Sequence, residues 1–145
     1  MKYKRILAMI LAVASCLSLA VSASAAGTVN RKATDFKDYD RTAWYAEAVS
    51  AAVDNGLLYG KSATIIDPNG DMTRAEMAAI INRSFGCYKI ADISQYKDVS
   101  KDKWYYKDIA LAAQMGTYVG RSSSAMAPDA PISRQEAMTV VARAL

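Results

Sequence analysis

Histidine is absent from this chain of 145 residues. The commonest general base and the commonest metal ligand are therefore missing. No Gly-x-Ser-x-Gly, phosphate-binding loop or Cys-x-x-Cys occurs, so the usual acyl-transfer, nucleotide and dithiol motifs have no counterpart. Cysteine is nearly absent too, with Cys16 and Cys87 alone. No alternating strand pattern of useful length appears, and Ala63 to Ile66 is at most a short extended piece. Asp67-Pro68-Asn69-Gly70-Asp71 starts like a calcium loop. Met72 then stands where such a loop needs glycine and Ala78 where it needs glutamate, so the segment reads as a turn. Catalysis finds little to work with, and no cofactor is implied.

Long apolar runs are likewise scarce. The exception is Ile6 to Val21, preceded by Lys2, Lys4 and Arg5 and followed by the small-x-small site Ala23-Ser24-Ala25. Residues 1–25 read as an export signal cleaved near Ala25. Val13-Ala14-Ser15-Cys16 resembles a lipoprotein cleavage box, but lipidation of Cys16 would leave the apolar Leu17 to Val21 at the front of the mature chain. Ordinary cleavage is the expected event, giving a soluble protein outside the cytoplasmic membrane. Lys2, Lys4 and Arg5 leave with the signal, so 15 of the 18 basic residues remain against 14 acidic ones, a net of about +1. The high isoelectric point belongs to the signal, no basic run remains, and no nucleic-acid partner is implied. Cys87 is then left alone, read as a half-buried thiol with an intermolecular bridge as the sharper alternative.

What is present is a repeat. Residues 36–85 return as 96–145 with no insertion, and 12 of the 50 pairs are identical. Trp44-Tyr45, Gly56, Gly60, Pro68, Arg74, Glu76 and Arg83 recur as Trp104-Tyr105, Gly116, Gly120, Pro128, Arg134, Glu136 and Arg143. Residues 26–35 form a short linker before the first copy, and 86–95 join the two. Each copy reads as helix, loop, helix, and the fold class is all-α. Trp44, Ala48, Val49, Ala52 and Val53 recur at helical spacing, closed by Gly56. Trp104, Ile109, Ala112 and Ala113 do the same, closed by Gly116. A loop with Gly60 and Pro68 (Gly120 and Pro128) follows. The second helix opens on a capping box, Thr73 with Glu76 and Ser133 with Glu136. Its stripe is Met77, Ile80, Ile81 and Phe85, matched by Ala137, Val140, Val141 and Leu145. Two such units must stack to bury their apolar faces.

Arg74 and Arg134 are the most informative positions. Each sits in the first turn of a helix, where a cation is mildly unfavourable for the helix itself. Two readings stand from the residues alone: an anion site beside free helix amides, or a salt bridge to Asp38 or to a carboxylate of the next repeat. Trp44 and Trp104 read first as core anchors and second as a stacking face for a sugar ring. Asp38 and Asp98 are expected to cap the helices or to pair with arginine. Arg83 and Arg143 suit helix C-termini and read as structural.

These residues, with the run Met72-Thr73-Arg74-Ala75-Glu76-Met77 and its softer copy Ser133-Arg134-Gln135-Glu136, resemble the S-layer homology family of bacterial wall-anchoring modules. The resemblance covers nearly all of the mature chain. It implies a non-catalytic, secreted cell-surface protein that binds anionic secondary cell-wall polysaccharide linked to peptidoglycan. It implies Arg74, and by a weaker match Arg134, as ligand-binding residues, with Trp44 and Trp104 as candidates beside them. It also implies repeats packed as a pseudo-threefold helical bundle, of which two are present here. Self-association, or another surface protein of the same family, is the expected source of the missing neighbour. The alternative is a protein–protein assembly module, or a truncated fragment, without carbohydrate binding.

Overall fold

A computed structural model describes residues 31–145; the expected export signal and the first part of the linker lie outside them. A 3-10 turn at Ala33–Asp35 leads to four helices, α1 (Ala46–Asp54), α2 (Arg74–Phe85), α3 (Tyr106–Met115) and α4 (Arg134–Ala144). The described residues hold no sheet, and the all-α expectation stands. The extended piece expected at Ala63 to Ile66 is instead a tight turn, in which the Lys61 and Ser62 amides donate to Ile65 O at 2.8 and 3.2 Å. No helix among the described residues is long and apolar enough to cross a membrane.

The capping boxes form in both copies. Thr73 Oγ1 accepts from the Glu76 amide at 3.2 Å while Glu76 Oε2 accepts from the Thr73 amide at 2.7 Å. Ser133 and Glu136 repeat this at 3.2 and 2.9 Å. α3 ends at Gly116 with φ +75°, and Gly56 follows α1 with φ +67°. α1 and α3 carry no side-chain cap. They start instead from backbone turns, Ala46 N to Ala43 O and Tyr106 N to Lys103 O, both 3.0 Å.

The core lies mainly between the repeats. Ala75, Ala78 and Ile81 of α2 pack with Ile109 and Ala112 of α3, Tyr118 and Met126 of the second loop, and Val140 of α4. A smaller cluster of Ala33, Phe36, Val53 and Ile66 holds the first loop. The deepest positions of α2 are alanines, which let α3 and α4 approach closely. Phe85 and Leu145, expected to close the stripes, are exposed. Phe85 is the last residue of α2 and Leu145 follows the end of α4. Cys87, just beyond α2, is half-buried.

Candidate functional site

Arg74 enters the second repeat. Its side chain is buried, with the residue 5% exposed. Nε donates to Met126 O at 3.1 Å, Nη2 to Val119 O at 3.2 Å and Nη1 to Glu136 Oε1 at 3.0 Å. The guanidinium lies 5.1 Å from the centroid of the buried Tyr118 ring. Of the two roles left open for Arg74, the ion pair with a carboxylate of the next repeat is the one observed, and the carboxylate is Glu136 rather than Asp38. Main-chain bonds run alongside. Arg74 N donates to Ala130 O and Ala75 N to Pro128 O, both at 2.9 Å, and Ile132 N returns to Met72 O at 2.9 Å. First-turn amides have no intrahelical acceptor, so the neighbouring loop supplies theirs. Glu136 is shared three ways, since it also caps α4 and accepts from Arg121 Nη2 at 3.1 Å.

Asp38 and Asp98 neither cap a helix nor pair with arginine. Each grips the loop returning to the second helix of its own repeat. Asp38 accepts from the Ile66 and Asp67 amides at 3.0 and 2.6 Å, and Asp98 from the Met126 and Ala127 amides at 2.9 and 2.6 Å. Asp67 and Ala127 have φ of +56° and +54°, a left-handed conformation that costs a non-glycine residue about 1–2 kcal/mol. The carboxylate holds that bend. The hydrogen bond from the Ile66 amide, aided by that from Asp67, keeps the Asp38 carboxyl below its ordinary value against the opposing effect of burial. Glu136 is lowered by the Ser133 amide first, with burial opposing, and then by Arg121 and Arg74. A carboxyl depressed in the folded state contributes stability above its unfolded pKa and loses it as pH falls through the folded pKa. The thermal midpoint should hold level from pH 7 to about 5 and fall below about pH 4, the unfolded carboxyl range. Asp38→Asn should make that fall shallower in melts recorded across the range.

The tryptophans are not core anchors. Trp44 is 94% and Trp104 60% exposed. Both precede their helices, in the turns before Ala46 and Tyr106, where the 3.6-residue register does not yet apply. The adjacent tyrosine goes inward instead. Tyr105 is buried and donates to Asp129 Oδ2 at 2.8 Å, and burial, with that bond, pushes its pKa up to about 12. Each tryptophan stands edge-on to its tyrosine, at 5.8 Å in the first copy and 5.4 Å in the second. The two tryptophans line one cleft of ≈ 720 Å³, so both repeats contribute to it. Its other lining side chains include Tyr59, Lys61, Glu76 and Arg83. Arg83 lies 4.0 Å over the Tyr59 ring and donates to Leu57 O at 2.9 Å, the structural part expected of it. Lys61 pairs with Asp67 at 3.0 Å, which raises its pKa. A second cleft, of ≈ 270 Å³, is lined by Arg121, Arg143, Val119 and the edge of Arg74.

This arrangement of two helix–loop–helix units, locked by Arg74 into the next loop, can be set against known proteins. The S-layer homology domain family matches residues 35–78 and 95–138, more than half of the chain. The chain belongs to the S-layer homology family. Among similar proteins, a surface-layer 125 kDa protein of Lysinibacillus sphaericus is 34% identical over 136 residues, covering 91% of this chain and 11% of that protein. A cell surface protein of Thermoanaerobacter kivui is 29% identical over 141 residues, 94% of this chain and 18% of that one. An endoglucanase of Bacillus sp. strain KSM-635 is 28% identical over 149 residues, 99% and 16% respectively. The chain thus spans less than a fifth of each of these relatives, and the endoglucanase's activity is not carried over by so partial a match.

In this S-layer homology chain the signature residues divide. Thr73 and Glu76 cap α2, Arg74 locks the repeats together, and Ser133 and Glu136 cap α4. Arg134, the second signature arginine, is exposed and makes no hydrogen bond or ion pair with the described residues. Gly60 and Gly120 lie against Phe36 and Tyr96. Tyr59, Lys61 and Arg83 were not singled out as site residues from the sequence. The recurrence of a cation at 61 and 121, and again at 83 and 143, is the signal that could have found them.

Proposed function

We propose that this protein is an exported, non-catalytic anchor that attaches to the bacterial surface by binding anionic secondary cell-wall polysaccharide. The observation that carries this reading is the pairing of Trp44 and Trp104 across one cleft. Two exposed indoles facing a shared groove suit sugar rings, which offer apolar faces for stacking and hydroxyls for the indole N–H. Lys61 and Arg83 line this groove together with Asp67, Asp71 and Glu76, and Arg121 with Arg143 line the smaller cleft, cations that an acidic polymer can meet. Membership of the S-layer homology family, and relatives named as surface-layer and cell-surface proteins, support the location. In this reading Arg74 is a positioning residue. It joins the two repeats that carry the groove walls.

The test is co-sedimentation of the processed protein with native wall sacculi, before and after chemical stripping of the secondary polysaccharide. Binding should be lost on stripping. Trp44→Ala and Trp104→Ala should each weaken retention about tenfold, in the range of a lost aromatic contact, with helicity unchanged because both rings are exposed. Retention that survives stripping, or that ignores both substitutions, removes the carbohydrate reading.

A further inference from the structure

We propose that the first repeat carries an empty arginine socket, and that Arg134 of a second copy of this chain fills it. The filled socket is visible inside the molecule. Arg74 meets Met126 O, Val119 O and Glu136 Oε1, and beside it the Arg74 and Ala75 amides meet Ala130 O and Pro128 O. Sixty residues earlier the same receiving groups stand in the first repeat as Ile66 O, Tyr59 O, Glu76 Oε1, Gly70 O and Pro68 O. Among the described residues, Ile66 O, Glu76 Oε1, Gly70 O and Pro68 O accept no hydrogen bond, and the Met72 amide, counterpart of Ile132 N, donates none. Tyr59 O accepts from Arg31 Nη1 at 3.2 Å, and a carbonyl has a second lone pair for another donor.

The matching donor set is exposed on the second repeat. Arg134 has no partner among the described residues, and the amides of Arg134 and Gln135 open α4 as those of Arg74 and Ala75 open α2. Charge is complementary, with the Arg134 guanidinium on one edge and Glu76 Oε1 on the other, both without a partner among the described residues. Met138, which stands where Ala78 packs in the internal junction, is 70% exposed. Where the socket is filled, a cleft of ≈ 270 Å³ is left beside it; the empty socket, with Tyr59, Ile66, Pro68, Gly70 and Glu76, opens into the cleft of ≈ 720 Å³. The contact is head-to-tail, so it joins copies into a closed ring or an open chain.

Sedimentation velocity of the full protein over a wide concentration range tests this. The wild type should associate as concentration rises. Arg134→Ala should weaken association about tenfold or more, as should Glu76→Gln, which removes the charge but keeps the capping box, since glutamine serves at that position. Both variants should keep wild-type helicity by circular dichroism. The double variant should be little weaker than either single one, because both remove the same contact. A wild type that stays monomeric throughout overturns the proposal, even if it binds other surface proteins, and so does association that is indifferent to Arg134. Trp44 and Trp104 line the same cleft as the socket, so association is measured without wall polymer and retention at low protein concentration, where each idea can fail without the other.

Discussion

Glu136→Ala is expected to destabilise the fold by about 3 kcal/mol, the low end of the range for removing one partner of a buried ion pair, because the Glu136 side chain is 31% exposed. The reason lies with Arg74. Its guanidinium is held between α2 and the second loop with a side chain only 6% exposed, and without Glu136 a charge stays there uncompensated. Loss of the capping box at Ser133 adds about 1 kcal/mol. Glu136→Gln keeps the box and should fall between wild type and the alanine variant. The repeat supplies an internal control. Glu76→Ala removes the same cap from α2 but strands no arginine in the isolated chain, so it should cost only about 1 kcal/mol. Urea unfolding of the variants at low protein concentration, where copies are separate, measures the difference. Equal costs at the two sites would show that the junction contributes nothing.

Gly60→Ala carries the second large effect, about 2–5 kcal/mol, summed from the left-handed strain and overpacking ranges. Gly60 has φ +81°, and a Cβ there would sit 2.5 Å from Phe36 Cε1 and 2.7 Å from Ile65 O. The carbonyl belongs to the turn that brings the loop back and cannot swing aside as a flexible side-chain end could. Gly120→Ala would collide with Tyr96 Cε1 and Ser122 O, though its own φ is not left-handed. Both variants should melt lower than wild type, with Gly60→Ala bearing the extra backbone strain. A melting temperature for Gly60→Ala within a degree or two of wild type would mean that the loop yields freely.

Much of this architecture was legible in the sequence, because its signals are local. The capping boxes at Thr73 and Ser133 and the glycines after α1 and α3 are short-range devices whose partners lie within a few residues. The pairing of Arg74 with a carboxylate of the next repeat was one of two open readings, since residue type and position admit both an anion and an ion pair. The tryptophans defeated periodicity because they lie just outside their helices, where a one-residue difference puts Tyr105 inside and Trp104 out. Asp38 was misread because its partners, the Ile66 and Asp67 amides, are 28 and 29 residues away and are main-chain groups without a sequence signature. The cleft was invisible for a further reason. Trp44 and Trp104 face it together only once the repeats are packed.

Four of the acceptors at the repeat junction, Val119, Met126, Pro128 and Ala130, contribute carbonyl oxygens rather than side chains. A carbonyl is inherited with the peptide bond whatever residue carries it. Substitutions that keep the loop's path leave the junction's geometry in place, and the two copies have in fact diverged at 38 of their 50 paired positions, the remainder after 12 identities. Arginine and glutamate are what such drift has to preserve. A duplicated unit joined in this way can lose most of its resemblance to its neighbour and still recognise it.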